Sequence, residues 1–177
     1  LHLVRTSGPG AEDLVEPYHD RVRDAVLARM EPPSAIAWHE ALLRVLRTTR
    51  GVEPERLAAH LECVGDTEQA AVHLVEAADL AAAALAFDRA AGLYDRALRL
   101  RLGSSQPADV GALRELMARL GIALANAGRG REASEALLKA AEGARAADAL
   151  DLRRKAAEQL LLSGYLEKVG QGLKQRR

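Results

Sequence analysis

The residues able to do chemistry fall at a few places in this 177-residue chain. Tyr18-His19-Asp20 sets an imidazole beside a carboxylate, the pairing that acid–base catalysis uses. At a helix start, however, Asp20 complements the helix dipole and His19 caps or packs the preceding turn. His39-Glu40 lacks the second histidine that completes a His-Glu-x-x-His zinc helix. His60-x-Glu62 is half of a zinc deaminase motif, without its paired cysteines. His60 and Cys63 share a helix face, but two donors do not complete a tetrahedral zinc site. Gly128-x-Gly130 lacks the later glycine, lysine and serine of a phosphate-cradling loop and follows a helix, so it reads as a turn. Kinase signatures such as His-Arg-Asp or Asp-Phe-Gly are absent. The residues therefore point to no catalytic, cofactor-binding or metal site, and His73 reads as an edge or core histidine.

Composition says what must hold such residues in place. Hydrophobic residues make up 49% of the chain and aromatics only 3%, so the core has to be built from Ala, Leu and Val. Shape rather than bulk must then specify the packing. A charged fraction of 28% suits exposed helix faces and indicates neither disorder nor a membrane span. Lys+Arg and Asp+Glu both total 25, which leaves no global attraction for nucleic acid or anionic lipid. Lys174, Arg176 and Arg177 form a small basic end that reads as a solvated helix terminus. Cys63 stands alone, which fits a reducing cytoplasm. No secretory signal is visible, and the longest apolar run, Leu80 to Phe87, falls far short of the ~20 residues a membrane helix needs. With no initiator Met and a last unit that looks cut short, the chain is expected to be a piece of a larger protein.

The pattern predicts an all-α chain behind a short irregular start. Residues 1–15 read as a turn or hairpin, with a break at Ser7-Gly8-Pro9-Gly10 and a return strand at Leu14-Val15. Residues 16–65 read as linking helices. In the first, Val22, Ala25, Val26 and Met30 share a face, and Glu31-Pro32-Pro33 ends it. The second is expected to start from a Ser34 cap and to end near Arg50, with Trp38 anchoring the second helical pair or, as the alternative, making an interface contact. The third starts at Pro54 and closes at Gly65. Asp66 and Gln69 then have the spacing of a capping box.

From residue 66 on, the chain resembles itself. Ala90, Tyr94 and Ala97 recur as Ala133, Leu137 and Ala140, preceded by Leu120-Gly121 and Leu124, with Gly128 at the turn. Ala157, Leu160 and Gly164 repeat the spacing of Gly121, Leu124 and Gly128. Units at 66–104, 108–147 and, in part, 148–177 follow, the last with a weak second helix from about Leu166. Gly121, Ala133 and Ala140 are small where helices cross, and Leu120, Leu124 and Leu137 fill the space around them. This pattern resembles the tetratricopeptide (TPR) family, whose unit is a helix–turn–helix of about 34 residues. The resemblance implies a TPR-like α-solenoid of antiparallel helix pairs, preceded by the hairpin remnant. A second resemblance lies in the stretch from Val15 to Leu27 and in Ala83 to Tyr94. These look like segments of large bacterial signalling proteins, in which a STAND-type regulatory ATPase, often fused to a serine/threonine kinase, continues into TPR-like repeats. The opening turn then resembles the closing wing of the winged-helix element of those ATPases.

What the resemblance implies is an interaction arm with no chemistry of its own. In TPR arrays the first helix of each unit lines the concave face. That places Asp79 there with Val72 and Val75, then Glu115, Ala118, Ile122 and Asn126, then Asp151, Arg154, Glu158 and Leu161. The groove is mixed and lacks the Lys and Asn cluster of the carboxylate clamp in chaperone-binding TPR proteins. The expected partner is a protein or peptide segment, such as an amphipathic helix, or another domain of the parent protein. Nucleic acid and membrane are not expected partners, and no cofactor is. The rival readings are a DNA-binding segment of a transcriptional regulator and an architectural arm that self-associates.

Overall fold

In the computed structural model of the chain, residues 4–6, 15–17, 20–104 and 109–174 are described. β1 (Val4–Thr6) pairs antiparallel with β2 (Val15–Pro17), with Arg5 opposite Glu16. The return strand thus runs to Pro17, past the boundary expected at residue 15. The break at Ser7–Gly10, the Tyr18-His19 pair and the basic Arg176 and Arg177 lie outside the described residues.

The rest is helical: α1 (Asp20–Arg29), α2 (Pro32–Leu46), α3 (Pro54–Cys63), α4 (Thr67–Ala83), α5 (Phe87–Gly103), α6 (Val110–Asn126), α7 (Gly130–Ala141) and α8 (Ala146–Lys174). The fold is all-α. From α2 onward each helix packs on its neighbours in sequence, the arrangement of a quasi-one-dimensional stack. α1 instead contacts β2.

Several helix ends depart from the sequence expectation for local reasons. α2 starts at Pro32, with Glu31 as an N-cap that makes no side-chain bond, so Ser34 lies inside the first turn. Proline supplies a preset φ where the missing N–H is not needed, which makes a polar cap dispensable. α2 also stops at Leu46, well before Arg50. The hydroxyls of Thr48 and Thr49 donate to Val45 O at 2.8 and 3.0 Å, offering the backbone a partner other than another helical turn. Asp66 caps α4 by accepting the Gln69 N–H at 3.2 Å. Its own N–H is already given to Leu61 O at the end of α3, so the reciprocal half of the capping box is not needed. Trp38 does not anchor α2. It is 62% exposed, and the one buried residue of that helix is Leu43, packed with Leu61 and Ala70.

The turns after α4 and α6 share one geometry. At the end of α4, Leu85 N–H donates to Ala82 O at 3.0 Å and Ala86 N–H to Ala81 O at 2.9 Å. At the end of α6, Gly128 N–H donates to Ala125 O and Arg129 N–H to Leu124 O at the same two distances. Both are Schellman closures, which need a left-handed pivot. Gly128 takes φ +77° without steric cost. Leu85 fills the same place in the first unit at φ +60°, where its Cβ crowds the following carbonyl.

Small residues set the spacing of the core. Ala90, Ala97, Ala133 and Ala140 are wholly buried. A methyl group on Gly121 would lie 2.7 Å from Leu137 Cγ and 3.3 Å from Ala133 O, so α6 and α7 approach to near backbone contact there. A methyl on Gly130 would lie 2.9 Å from Gln159 O, which brings α7 against α8 in the same way. Leu137 is buried at the first of these crossings, and Leu61 and Leu74 are buried on α3 and α4, each contributing about 2 kcal/mol. The third unit does not turn at Gly164. α8 continues to Lys174, so no separate helix begins near Leu166. The spacing that matched Gly128 lacks its consequence, because Gly164 has no positive φ. Ser134 is also buried, and its Oγ has no hydrogen-bond partner. In the first unit the equivalent place is the buried Ala91.

These positions give three stability predictions. Leu85→Gly should raise stability by about 0.5–1 kcal/mol, since an exposed side chain is exchanged for relief of left-handed strain; Gly128→Ala should lower it by about 1 kcal/mol. Urea unfolding midpoints measure both. Ser134→Ala should raise stability by about 1 kcal/mol by removing an unsatisfied buried hydroxyl, read as a higher thermal midpoint.

Candidate functional site

The site is built outward from α6. Glu115, Arg119, Ile122 and Asn126 follow one face of that helix at helical spacing, and Glu115, Ile122 and Asn126 are exposed. Arg119 is the hub. Its Nη1 lies 3.1 and 3.0 Å from the two carboxylate oxygens of Asp79 on α4, and its Nη2 is 2.5 Å from Glu115 Oε1. Asp79 also accepts a hydrogen bond of 2.5 Å from the Tyr94 hydroxyl on α5. Four side chains from three helices thus form one chain of charge-assisted contacts, Tyr94–Asp79–Arg119–Glu115. Burial of the phenol, and then its bond to the Asp79 carboxylate, push the Tyr94 pKa up to about 12. The Arg119 guanidinium is held above its ordinary value, first by the bond to Glu115 and then by Asp79.

Two open grooves flank α6, and Glu115 lines both. One, between α4, α5 and α6, measures about 180 Å³ and is lined by Val75, Arg101, Ala112, Glu115, Leu116 and Arg119. The other, of about 650 Å³, lies against α7 and α8. Its small walls are Gly111, Ala118, Ala140 and Ala144, and Arg114, Glu115, Arg145 and Asp148 surround them. The charges on this rim are engaged: Arg114 donates to Gly143 O, and Arg145 Nε lies 2.8 Å from Asp148.

Of the residues expected from sequence, Asp79 and Glu115 are brought together, through Arg119. Ile122 and Asn126 extend the same face without a tie to the network. Arg154 and Glu158 are paired with each other on α8, and Arg154 Nη2 lies 2.9 Å from Asp151. Lys155, then Arg154, hold the Asp151 carboxyl below its ordinary value, while Asp151, then Glu158, raise Arg154. The α8 side of the larger groove is instead supplied by Arg145, Asp148 and Leu152. Tyr94 and Arg119 were not foreseen as site residues. The available signal was a hydroxyl-bearing Tyr94 where the second unit has Leu137, and an arginine one turn beyond Glu115.

A further polar contact joins α2 to α3. His39 Nδ1 and His60 Nδ1 are 2.8 Å apart, with the rings tilted by 45°. Burial first, then His39 and Arg56, lower the His60 pKa. His73 pairs with Glu76 at 3.3 Å. Among the described residues no group of three or more His, Cys, Asp or Glu gathers to hold a metal ion, and no helix is long and apolar enough to cross a membrane.

No protein-family model matches this chain, and no curated protein matches its sequence significantly.

Tyr94 gives this site a pH signature. The folded chain keeps the phenol proton until about pH 12, whereas the unfolded chain releases it near pH 10. The stabilisation by Tyr94 is therefore complete below pH 10 and lost as pH rises from 10 through 12. Tyr94→Phe should cost about 1–2 kcal/mol at pH 8, and the gap between the two proteins should narrow by pH 11.5 in urea titrations.

Proposed function

We propose that this chain is a protein-interaction module, without catalysis of its own, that receives a polypeptide segment along the α6 flank. The observation that carries this reading is the pair of open grooves sharing Glu115, with alanine and glycine walls and a rim of charges. Small walls leave slots for a partner's apolar side chains, and paired charges can be exchanged for a partner's without exposing an orphan. The TPR-like reading is supported by Gly121 at the α6–α7 crossing and by the shared turn geometry at Leu85 and Gly128. We extend it to an arm of a bacterial STAND-type ATPase or kinase in the cytoplasm, on the resemblance of the Val15–Leu27 and Ala83–Tyr94 stretches. Binding at the arm would bias such a parent between states only through different affinities for them.

A second reading, self-association, is favoured by particular exposed residues. Trp38, Leu42 and Val45 form an exposed stripe on α2, and Leu150 and Leu161 are exposed on α8.

Peptides selected from a random displayed library against the whole chain test the first reading. Ala118→Arg, which fills the larger groove, should weaken their binding roughly tenfold or more, while Leu85→Gly, at a distant turn, should leave it unchanged. Selected peptides that bind both variants alike would remove the groove from consideration. Sedimentation of the chain over a hundredfold concentration range reports on self-association, which Trp38→Ser should reverse.

A further inference from the structure

We infer that His39 and His60 form a two-imidazole chelate for a divalent transition-metal cation that takes nitrogen donors at right angles, Cu²⁺ or Ni²⁺. The two ligands come from different helices, α2 and α3, and present the same ring atom to each other. Donors held about 2.0–2.1 Å from one metal stand about 2.9 Å apart at a right angle and about 3.3 Å apart at the tetrahedral angle. The observed separation of 2.8 Å, which a hydrogen bond also accounts for, is closer to the right-angle bite of square-planar and octahedral ions than to that of tetrahedral zinc.

The same contact serves the metal-free chain as a hydrogen bond. One imidazole donates its Nδ1–H to the lone pair of the other. When a cation enters, the donor carries its proton on Nε2 instead, and both rings turn so that their Nδ1 lone pairs converge on the metal rather than on each other. Between two neutral rings this step only moves a proton from one nitrogen to the other of a single imidazole, so none is lost. Arg56 is the charged neighbour acting on His60 and opposes a cation, so the site should be of modest strength. No third protein donor joins the pair among the described residues, so water fills the remaining positions. The bridge falls where it has most effect. α2 buries only Leu43 against the stack, and a shared metal would fix α2 to α3.

The experiment uses the full chain without an affinity tag, titrated with CuCl₂ in a non-coordinating buffer. Electron paramagnetic resonance counts equatorial nitrogens, and calorimetry gives affinity. The expected result is one Cu²⁺ site with two nitrogens. Either His39→Gln or His60→Gln should reduce the count to one nitrogen and weaken binding roughly a hundredfold, the loss of one arm of a chelate. His73→Gln should change nothing, which separates the pair from scattered histidines. Far-UV circular dichroism establishes that each variant is folded; should His60→Gln unfold, His39→Gln on the outer helix carries the test alone. A single nitrogen in the unaltered chain, or equal affinity in the His39→Gln variant, would overturn the chelate.

Discussion

Close approach of helix backbones is the constraint on which the rest of this molecule depends. An aromatic-poor chain cannot fill wide gaps between helices, so its helices must come near enough for alanine and leucine to fill the space. Gly121 marks the tightest point, where even a methyl group would collide with Leu137. Ala133 and Ala140 continue the seam along α7. On the opposite side of α6, toward α4, Arg119 reaches Asp79.

A second set of contacts works at longer range across the stack. Consecutive helices meet through small apolar residues, but next-but-one helices are joined by arginine–carboxylate pairs. Arg89 and Arg96 of α5 reach Glu55 and Glu62 of α3 at 2.7 and 2.8 Å, and Arg119 of α6 reaches Asp79 of α4 at 3.0 Å. Partly exposed ion pairs of this kind add little net stability. Their geometry matters more, because each fixes how far one helix pair is rotated on the next, which apolar packing leaves soft. Tyr94 reinforces one of these ties by adding a third group to Asp79.

The parts of this design that were legible in the sequence are those with local causes. Pro54 starts a helix, Asp66 caps one, and Gly128 turns one, because each acts through its own backbone. Gly121, Ala133 and Ala140 were legible because small residues repeat at fixed spacing. What failed depended on neighbours. Gly164 resembles Gly128 by position, yet the residues after it continue the helix. Trp38 looked like an anchor by size alone, but α2 faces α3 on the side of Leu43, leaving the indole outside. In the site, carboxylates could be placed on a face by periodicity. The arginine that joins them could not, since that depends on the distance between two helices.

If this flank receives a polypeptide segment, as we propose, the pairing of its charges beforehand constrains recognition. Asp79 and Glu115 are not free anions awaiting a basic ligand, because Arg119 occupies both. A partner that contacts either must supply a group equal to the one it displaces, or leave a charge unmatched. Attraction gained on one side is then nearly offset by attraction lost on the other, and the net affinity has to come from apolar side chains entering the alanine-walled grooves. The charges act instead as a filter. A segment of the wrong sign leaves Arg119 or Glu115 without a counterpart, whereas a segment of matching pattern exchanges contacts at little cost. In the proposed role, such a surface would discriminate among partners of similar hydrophobicity.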